Sequence, residues 1–187
     1  MIVAAFDFDG TLTRRDSLLP FLARHAGPAA TIRGLVAAGT TRDDRSARKQ
    51  ALLHRTLTGR SEVDVAEAGA AYAARLVARG MRRDVLALLD DHRSNGHRPV
   101  IVSASPELYV RAAGRLLGIE DVLATRLEVD ELGRLTGRYD GRNCIGDEKV
   151  SRLDDWIDGR EVTLLYAYGN SAGDEALLAR ADVPTRV

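Results

Sequence analysis

The stretch FDFDGTLT, residues 6–13, places two carboxylates one residue apart at the end of the first apolar run of the chain. Side chains alternate along a strand, so Asp7 and Asp9 are expected to point to the same side. Gly10 follows and predicts a tight turn, with both acids at its mouth. Two carboxylates this close disfavour each other's charged form. The pattern therefore predicts a positive group between them, or a proton on one of them.

The runs that flank this stretch predict a layered α/β fold. Residues 2–8 are apolar and β-leaning without a helical period, which is typical of a strand buried on both faces. VIVSAS, residues 100–105, and EVTLLYAYGNS, residues 161–171, predict two further buried strands, and residues 184–187 predict an edge strand. Helical patterns lie between them. Such alternation indicates a doubly wound parallel sheet of the Rossmann-like kind.

Nearly all of the 70 residues that follow the first strand have helical patterns. Their predicted helices start at cap residues and end near glycines: Asp16 or Ser17 to Gly27, Pro28 to Gly39, Asp43 to Gly59, and Ser61 to Gly80. We assign residues 15–84 to a helical cap subdomain, inserted into a core domain of residues 1–14 and 85–187. Residues 121–141 alternate with period two on both sides of DELGR, which predicts an antiparallel β-hairpin beside the main sheet.

The composition excludes several classes of protein. Lys plus Arg and Asp plus Glu both number 27, so no global field attracts nucleic acid or an anionic membrane. The lone Cys144 excludes an internal disulfide and a cysteine zinc site. No apolar run approaches the roughly 18 residues of a membrane span, and acids occur too early for a signal peptide. We predict a cytoplasmic protein with no integral membrane segment and no nucleic-acid partner; its oligomeric state stays open.

Polar side chains follow each predicted buried strand: Asp7 with Asp9, Ser103 with Ser105, and Asn170 with Asp174. Because the carboxyl ends of parallel strands meet at one edge of a sheet, we expect these groups to converge. The acids and the amide offer only hard oxygen ligands, which suit Mg²⁺ better than zinc or copper. A bound Mg²⁺ would let both aspartates coexist and leave one carboxylate free as a nucleophile.

Two further residues fit a phosphate site at this edge. Only two of the 27 basic residues are lysines, and one of them, Lys149, lies at the start of a helical run. In a chain so rich in arginine, a lysine at this position suggests a role that the planar guanidinium of arginine would not fill. Ser103 can offer a hydroxyl and nearby backbone N–H groups to a phosphate oxygen. Taken alone, these residues have ordinary interpretations as a surface lysine and a helix cap. Their order in the sequence and their position at the same edge of the predicted sheet favour a phosphate-binding site.

Four segments together resemble the sequential motifs of the haloacid dehalogenase superfamily: DFDGTLT, IVSASP, Lys149 and GNSAGD. The resemblance covers essentially all 187 residues. The helical insert and the hairpin are similar to the phosphoserine phosphatase-like branch. NCIGDEKVSRL, residues 143–153, is similar to the branch that contains phosphatidylglycerophosphatase of the soluble-cap type.

The resemblance implies a catalytic role for three residues. Asp7 would attack phosphorus and form an aspartyl-phosphate. Asp9 would protonate the leaving alcohol and then activate water. Lys149 would hold both the nucleophile and the phosphate. The presence of Asp9 disfavours dehalogenase chemistry, since that branch lacks the second acid, and the sequence after Gly10 differs from that of the superfamily's ion pumps.

The resemblance also implies two binding sets. The phosphoryl group would contact Ser103, Ala104, Thr11 and Lys149. The Mg²⁺ would be held by Asp7, the backbone carbonyl of Asp9, Asn170 and Asp174. The usual fourth motif begins Gly-Asp, whereas this chain has Gly169-Asn170, so one anionic ligand is replaced by a neutral amide. An amide oxygen can still bind a hard cation, so we expect weaker Mg²⁺ affinity and not a lost site.

These observations predict a Mg²⁺-dependent phosphatase that hydrolyses a phosphomonoester, either a phosphoserine-like small molecule or a phosphatidylglycerophosphate-like substrate. Two alternatives are a phosphotransferase or mutase of the same superfamily, and a non-catalytic protein that binds a phosphorylated metabolite. Basic residues of the insert could face an acidic ligand or form plain surface charge: Arg33, Arg42, Arg45, Arg48, Lys49 and Arg55.

Overall fold

A five-stranded parallel sheet forms the centre of the computed structural model, which describes residues 1–37 and 45–187. The strands in spatial order are β3 (Asp121–Thr125), β2 (Arg98–Pro106), β1 (Ile2–Phe6), β6 (Leu164–Gly169) and β7 (Val183–Arg186). The central strand β1 pairs in parallel with β2 and β6. The doubly wound α/β fold and the predicted edge strand are thereby confirmed.

Strand β1 is apolar throughout because both faces of the sheet are covered. Its alternate residues divide between two buried clusters, Ala4 and Phe6 in one and Val3 and Ala5 in the other. The first cluster includes residues of helices α5 (Arg83–Ser94) and α6 (Glu107–Leu116), and the second includes residues of α7 (Asp147–Ile157) and α8 (Glu175–Arg180). The sheet is thus held by packing on both faces.

Four helices make up the insert between β1 and α5: α1 (Leu18–His25), α2 (Pro28–Ala37), α3 (Arg45–Leu57) and α4 (Glu62–Arg79). The predicted caps are present, because Asp16 Oδ1 accepts a hydrogen bond from Leu18 N at 3.0 Å and Ser61 Oγ accepts one from Asp64 N at 3.4 Å. The predicted helix end at Gly39 and start at Asp43 lie outside the described residues, as does Arg42. The division into cap and core stays a prediction.

The two segments that join the insert to the sheet run side by side. Arg14 N donates to Gly80 O at 2.8 Å, and Arg82 N donates to Leu12 O at 2.9 Å. These bonds form a short antiparallel bridge directly after the turn that carries the two aspartates. The insert is therefore connected to the sheet at one place.

The prediction of one hairpin over residues 121–141 is wrong in its first part. Residues Asp121–Thr125 form β3, which pairs in parallel with β2. Helix α6 is the crossover between these two strands, and parallel neighbours require such a connection. The hairpin itself is shorter and consists of β4 (Leu127–Val129) and β5 (Leu135–Tyr139).

The hairpin lies on the insert and not beside the main sheet. Leu135 exchanges backbone hydrogen bonds with the segment between α3 and α4, accepting from Gly59 N at 2.8 Å and donating to Arg60 O at 2.9 Å. Gly137 permits close contact with α3, because a Cβ at this position would lie 2.3 Å from His54 Cα. A segment of the second half of the chain therefore supports the inserted helices.

Candidate active site

The first two acids lie on a turn that continues the central strand. Asp7 N donates to Tyr168 O at 2.9 Å and so extends the pairing of β1 with β6. A tight turn over Phe8–Leu12 follows, closed by the hydrogen bond from Thr13 N to Phe8 O at 2.9 Å, and Gly10 within it has a φ of +82°. Only glycine adopts this left-handed conformation readily. The turn places Asp9 over the carboxyl ends of the strands.

Lys149 provides the positive group that the carboxylates require. Its Nζ lies 2.6 Å from Asp7 Oδ1 and 2.6 Å from Asp174 Oδ1, and all three side chains are buried. The lysine thus links Asp7 to Asp174, whereas the sequence suggested a positive group between Asp7 and Asp9. Burial alone would lower the pKa of Lys149, but the two carboxylates outweigh burial and raise it.

The two carboxylates that share Lys149 have pKa values shifted in opposite directions. Burial raises the pKa of Asp7, and the charge of Asp174 adds to this effect, while Lys149 opposes it. For Asp174, burial is again the largest effect, but the charge and hydrogen bond of Lys149, with hydrogen bonds from Ser171, lower its pKa. Asp174 is therefore the more stable anion of the pair.

Asp9 is held by donors from two other parts of the chain. Its Oδ1 accepts from Ser17 N at 2.7 Å, and its Oδ2 accepts from the hydroxyl of Ser105. Burial raises the pKa of Asp9 to about 6, although the hydrogen bonds from both serines act in the opposite direction. A carboxyl group with such a pKa can give and take a proton near neutral pH.

The fourth motif forms a tight loop around Asp174. Its Oδ2 accepts from Ser171 N at 2.9 Å, from Ser171 Oγ at 2.7 Å and from Asn170 N at 3.2 Å. Asn170 Oδ1, by contrast, is buried and has no hydrogen-bond partner among the described residues. A buried oxygen without a partner is costly unless something else satisfies it.

The donor set at this loop fits Mg²⁺. A free amide oxygen of Asn170 lies in the same cleft as the carboxylate of Asp7, and hard oxygens are the ligands that Mg²⁺ prefers. Within residues 1–37 and 45–187, no three His, Cys, Asp or Glu side chains are grouped so as to hold a metal. This agrees with an amide at position 170, where the usual fourth motif has an acid.

A cleft of about 400 Å³ opens above these groups. Most predicted site residues line it: Asp7, Asp9, Ala104, Lys149, Asn170 and Asp174. Ser103 and Thr11 lie beneath its wall and are buried, and Ser103 Oγ accepts a hydrogen bond from Ser105 N at 3.0 Å. The structure thus brings the predicted groups to one edge, with Ser105 and not Ser103 at the surface of the cleft.

Lys49 is the main residue that sequence reasoning failed to single out. It reaches from α3 to the core, where its Nζ donates to Ala104 O and, at 3.0 Å, to Asn143 Oδ1. Burial lowers its pKa to about 8. The rarity of lysine in this chain was the available signal.

Of the other basic residues of the insert, Arg33 and Arg55 line a separate cleft between α2 and α3.

The side chain of Arg45, like all of Arg42, lies outside what the structure describes. The rim of the catalytic cleft is instead charged by three neighbours of the first motif: Arg14, Arg15 and Asp16. Over the described ranges, no helix has both the length and the apolar character needed to cross a membrane. The cytoplasmic location stays a prediction.

Comparison with known proteins gives the family. The model of the haloacid dehalogenase-like hydrolases matches residues 4–179, which is nearly the whole chain. The chain belongs to this family. The hydrolase is 37% identical over 186 residues to the protein CicA of Caulobacter vibrioides, and the match covers 97% of this chain and 83% of that protein.

Two further relatives bear on the chemistry. A histidinol-phosphatase of Neisseria meningitidis is 30% identical over 105 residues, covering 54% of this hydrolase and 47% of that enzyme. A crystallised phosphoserine phosphatase, with an analogue of its phospho-aspartyl intermediate, has a TM-score of 0.66 and 22% identity, covering 96% of this chain and 83% of that chain. The second comparison shows that the hydrolase shares the fold of the phosphoserine phosphatase-like branch.

Proposed function

We propose that this hydrolase is a Mg²⁺-dependent phosphatase that cleaves phosphomonoesters through an aspartyl-phosphate. The observation that carries the proposal is the pairing of Asp7 with Lys149 at 2.6 Å on a cleft that Asp9 also lines. A nucleophile, a cation beside it and an acid with a raised pKa are thereby present together. The similarity to histidinol-phosphatase and phosphoserine phosphatase supports this reaction class.

The proposed reaction has two steps. The carboxylate of Asp7 attacks phosphorus, the bond from phosphorus to the ester oxygen breaks, and Asp9 gives its proton to the leaving alcohol. Water then attacks the phosphorus of the acyl phosphate while Asp9 takes a proton from it. Inorganic phosphate leaves, and Asp7 is regenerated. The same carboxyl group thus serves as acid and then as base.

The chain's own residues prepare the nucleophile. Lys149 holds Asp7 in one orientation and opposes the effect of burial on its pKa, and so favours the anion that attacks. Asp7, Asn170, Asp174 and the carbonyl of Asp9 would hold Mg²⁺. When bound, the ion supplies positive charge that favours ionised Asp7 and draws electrons from the phosphoryl oxygens.

The rim of the cleft favours a substrate with a polar leaving group. Arg14, Arg15 and Lys49 contribute positive charge there, and Asp16 contributes negative charge. A leaving group that carries both an amine and an acid could find a partner for each. A phosphoserine-like small molecule therefore fits this rim better than an ester whose leaving group is only apolar.

The first experiment measures inorganic phosphate released from a panel of phosphomonoesters while Mg²⁺ is titrated from zero. The panel contains p-nitrophenyl phosphate, O-phosphoserine, histidinol phosphate, sugar phosphates and phosphatidylglycerophosphate. Asp7→Asn keeps the shape of the nucleophile and is expected to reduce turnover by at least 1,000-fold, on the order expected when an essential nucleophile is lost. Asp155→Asn changes an exposed acid of α7 and is the matched control.

The outcomes separate the candidate functions. Metal-dependent release that Asp7→Asn abolishes and Asp155→Asn leaves intact would establish the phosphatase. Release only after a second substrate is added as acceptor would instead show a phosphotransferase or mutase. Tight binding of a panel member without any turnover would show a non-catalytic binding protein. Hydrolysis of phosphatidylglycerophosphate alone would overturn the preference for a polar leaving group.

A further inference from the structure

The orientation of Asp9 depends on two serines that lie far apart in the sequence. Ser17 N donates to Asp9 Oδ1 at 2.7 Å, and the Ser105 hydroxyl donates to Asp9 Oδ2. One serine precedes the first inserted helix and the other lies at the end of β2. Each oxygen of the carboxyl group therefore has its own donor, and the group cannot rotate without losing a hydrogen bond.

Ser17 is itself fixed by two tyrosines. Its carbonyl accepts from Tyr72 Oη at 2.9 Å, and its hydroxyl lies 3.0 Å from Tyr109 Oη. Tyr72 belongs to α4 of the insert and Tyr109 to α6 of the core. Only 1% of Ser17 is exposed and Tyr109 is fully buried, so water does not compete for these bonds.

The tyrosine rings make this arrangement rigid. Phe21 of α1 packs against Tyr109 with ring centroids 4.9 Å apart, and against Tyr72 at 5.6 Å. The two tyrosines meet edge to face at 5.6 Å. Aromatic contacts of this kind add stability beyond the area they bury. The Ser17 backbone is thus held between the insert and the core.

Ser105 is fixed from the core side. Its own N–H donates to Ser103 Oγ at 3.0 Å, which ties the end of β2 into a local turn. The hydroxyl of Tyr109 joins this arrangement through Ser17 Oγ, which lies 3.0 Å away. Asp9, Ser17, Ser105 and Tyr109 therefore form one hydroxyl network behind the cleft, which Tyr72 extends into the insert.

We propose that Ser17 and Ser105 are positioning residues for Asp9, and that Tyr72 and Tyr109 make this positioning depend on the seating of the insert. The inference rests on the proposed role of Asp9 as the proton donor to the leaving group. When the insert is seated, Ser17 N–H points at the carboxyl group and fixes it over the cleft. When the insert moves away, the hydrogen bond from Tyr72 to the Ser17 carbonyl is lost, and Asp9 then loses the Ser17 N–H as a donor.

A pair of aryl esters tests the inference. Phenyl phosphate and p-nitrophenyl phosphate have nearly the same shape, but the phenolate that leaves the first is the much stronger base and needs a proton. A misplaced Asp9 should therefore slow the hydrolysis of phenyl phosphate more than the hydrolysis of p-nitrophenyl phosphate. For Ser105→Ala we expect kcat/KM to fall about 30-fold for phenyl phosphate and about threefold for the nitrophenyl ester. The larger loss stays below the roughly 10²–10⁴-fold contribution of general acid catalysis, because the variant misplaces the acid without removing it.

Matched variants separate positioning from general damage. Ser105→Thr keeps the hydroxyl and should restore the wild-type ratio of the two kcat/KM values. Tyr109→Phe and Tyr72→Phe should each change the ratio in the same direction as Ser105→Ala but less. Tyr168→Phe removes a different buried hydroxyl, which contacts His92, and should leave the ratio unchanged.

Equal loss for both esters in Ser105→Ala, with the circular dichroism of the folded protein retained, would overturn the inference. So would a changed ratio in Tyr168→Phe. The variant Asp9→Asn tests the premise, which is the role of Asp9 as proton donor, separately from the inference that the serines position it. If Asp9→Asn slows both esters equally, Asp9 is not the proton donor and the proposed function itself is wrong at that step.

Discussion

Lys149 is the residue on which the arrangement of the site most depends. It separates two buried carboxylates that would otherwise face each other, and its Nζ is 2.6 Å from each. Removal of one member of a buried ionic group leaves uncompensated charge in a medium that solvates it poorly. The lysine thus stabilises the folded protein in addition to its role in the proposed chemistry.

Lys149→Met should therefore destabilise the protein strongly. Methionine has a similar length but no charge, so we expect the free energy of unfolding to fall by about 3–5 kcal/mol at pH 7. Urea unfolding followed by circular dichroism measures the change. Arg180→Met is the control, because it breaks an exposed ion pair with Asp154 and should cost less than about 1 kcal/mol. Equal losses in the two variants would contradict this account of Lys149.

Asn170 is the residue where this chain departs from the usual fourth motif. Because its amide oxygen has no hydrogen-bond partner among the described residues, we expect that a carboxylate at this position would bind Mg²⁺ more tightly. Asn170→Asp should tighten Mg²⁺ binding roughly ten-fold, which corresponds to about 1.4 kcal/mol of added attraction. It should also lower the melting temperature in EDTA, because a third carboxylate then lies near Asp7 and Asp174.

Thermal unfolding at increasing Mg²⁺ concentration checks both effects without any measurement of activity. Asn95→Asp changes an asparagine at the end of α5, far along the chain from the site, and should show the wild-type response. A Mg²⁺-induced rise in melting temperature that is no larger in Asn170→Asp than in the native protein would count against Asn170 as a ligand.

The turn Phe8–Leu12 is the element that joins Asp7 to the fourth motif. Gly10 has a φ of +82°, and a Cβ at this position would lie 2.1 Å from Asn170 Nδ2. Two separate requirements thus call for glycine, namely a left-handed backbone and close approach of the Asn170 side chain.

Gly10→Ala tests the second requirement when it is compared with Gly59→Ala. Gly59 has a φ of +78° but nothing lies within 4 Å of its Cβ position. Both variants should lose about 1–2 kcal/mol of stability through backbone strain. Only Gly10→Ala should also displace Asn170 and reduce phosphate release, by at least ten-fold. Unfolding curves and phosphate assays on both proteins measure this, and similar activity in the two would show that the close approach is unimportant.

The same elements show what the sequence alone could predict. Periodicity and capping residues located the helices and four of the five sheet strands, because these signals are local. Strand β3 was merged with the hairpin, since alternation continues from residue 121 to residue 139 and the break at Arg126 carries no turn residue. The contacts of Ser17 and Lys49 with the core depend on tertiary packing, which no local pattern records.

At the scale of the molecule, and within the described residues, backbone hydrogen bonds attach the insert to the rest of the chain in two places, in addition to the side-chain contacts of Lys49 and Tyr72 with the core. The paired segments around Arg14 and Arg82 form one connection, and the hairpin β4–β5 forms the second through its bonds to Gly59 and Arg60. Any opening of the insert must either carry the hairpin with it or break those bonds. The hairpin therefore restricts the movement that a two-segment hinge would otherwise allow.

The sheet and helix α5 are joined by a buried histidine whose protonation should affect the stability of the whole protein. His92 is 4% exposed, with Nε2 at 2.7 Å from Tyr168 Oη and Nδ1 at 2.8 Å from His97 Nδ1. Burial, together with the charge of His97, lowers its pKa below the usual 6.5. As pH falls through 6.5, the unfolded chain therefore binds a proton before the folded protein does, and the free energy of unfolding decreases.

Urea unfolding at pH 7.5 and pH 5.5 should show that acidification changes the free energy of unfolding less favourably in the native protein than in His92→Phe, which keeps a ring of similar size but cannot titrate. Asp9, whose pKa is raised to about 6, favours the folded state as pH falls in both proteins, so its effect cancels in the comparison. If His92→Phe shows the full native dependence, other groups cause it. A difference in the expected direction would mean that the contact between α5 and β6 weakens on acidification, directly behind the strand whose Tyr168 carbonyl accepts from Asp7 N.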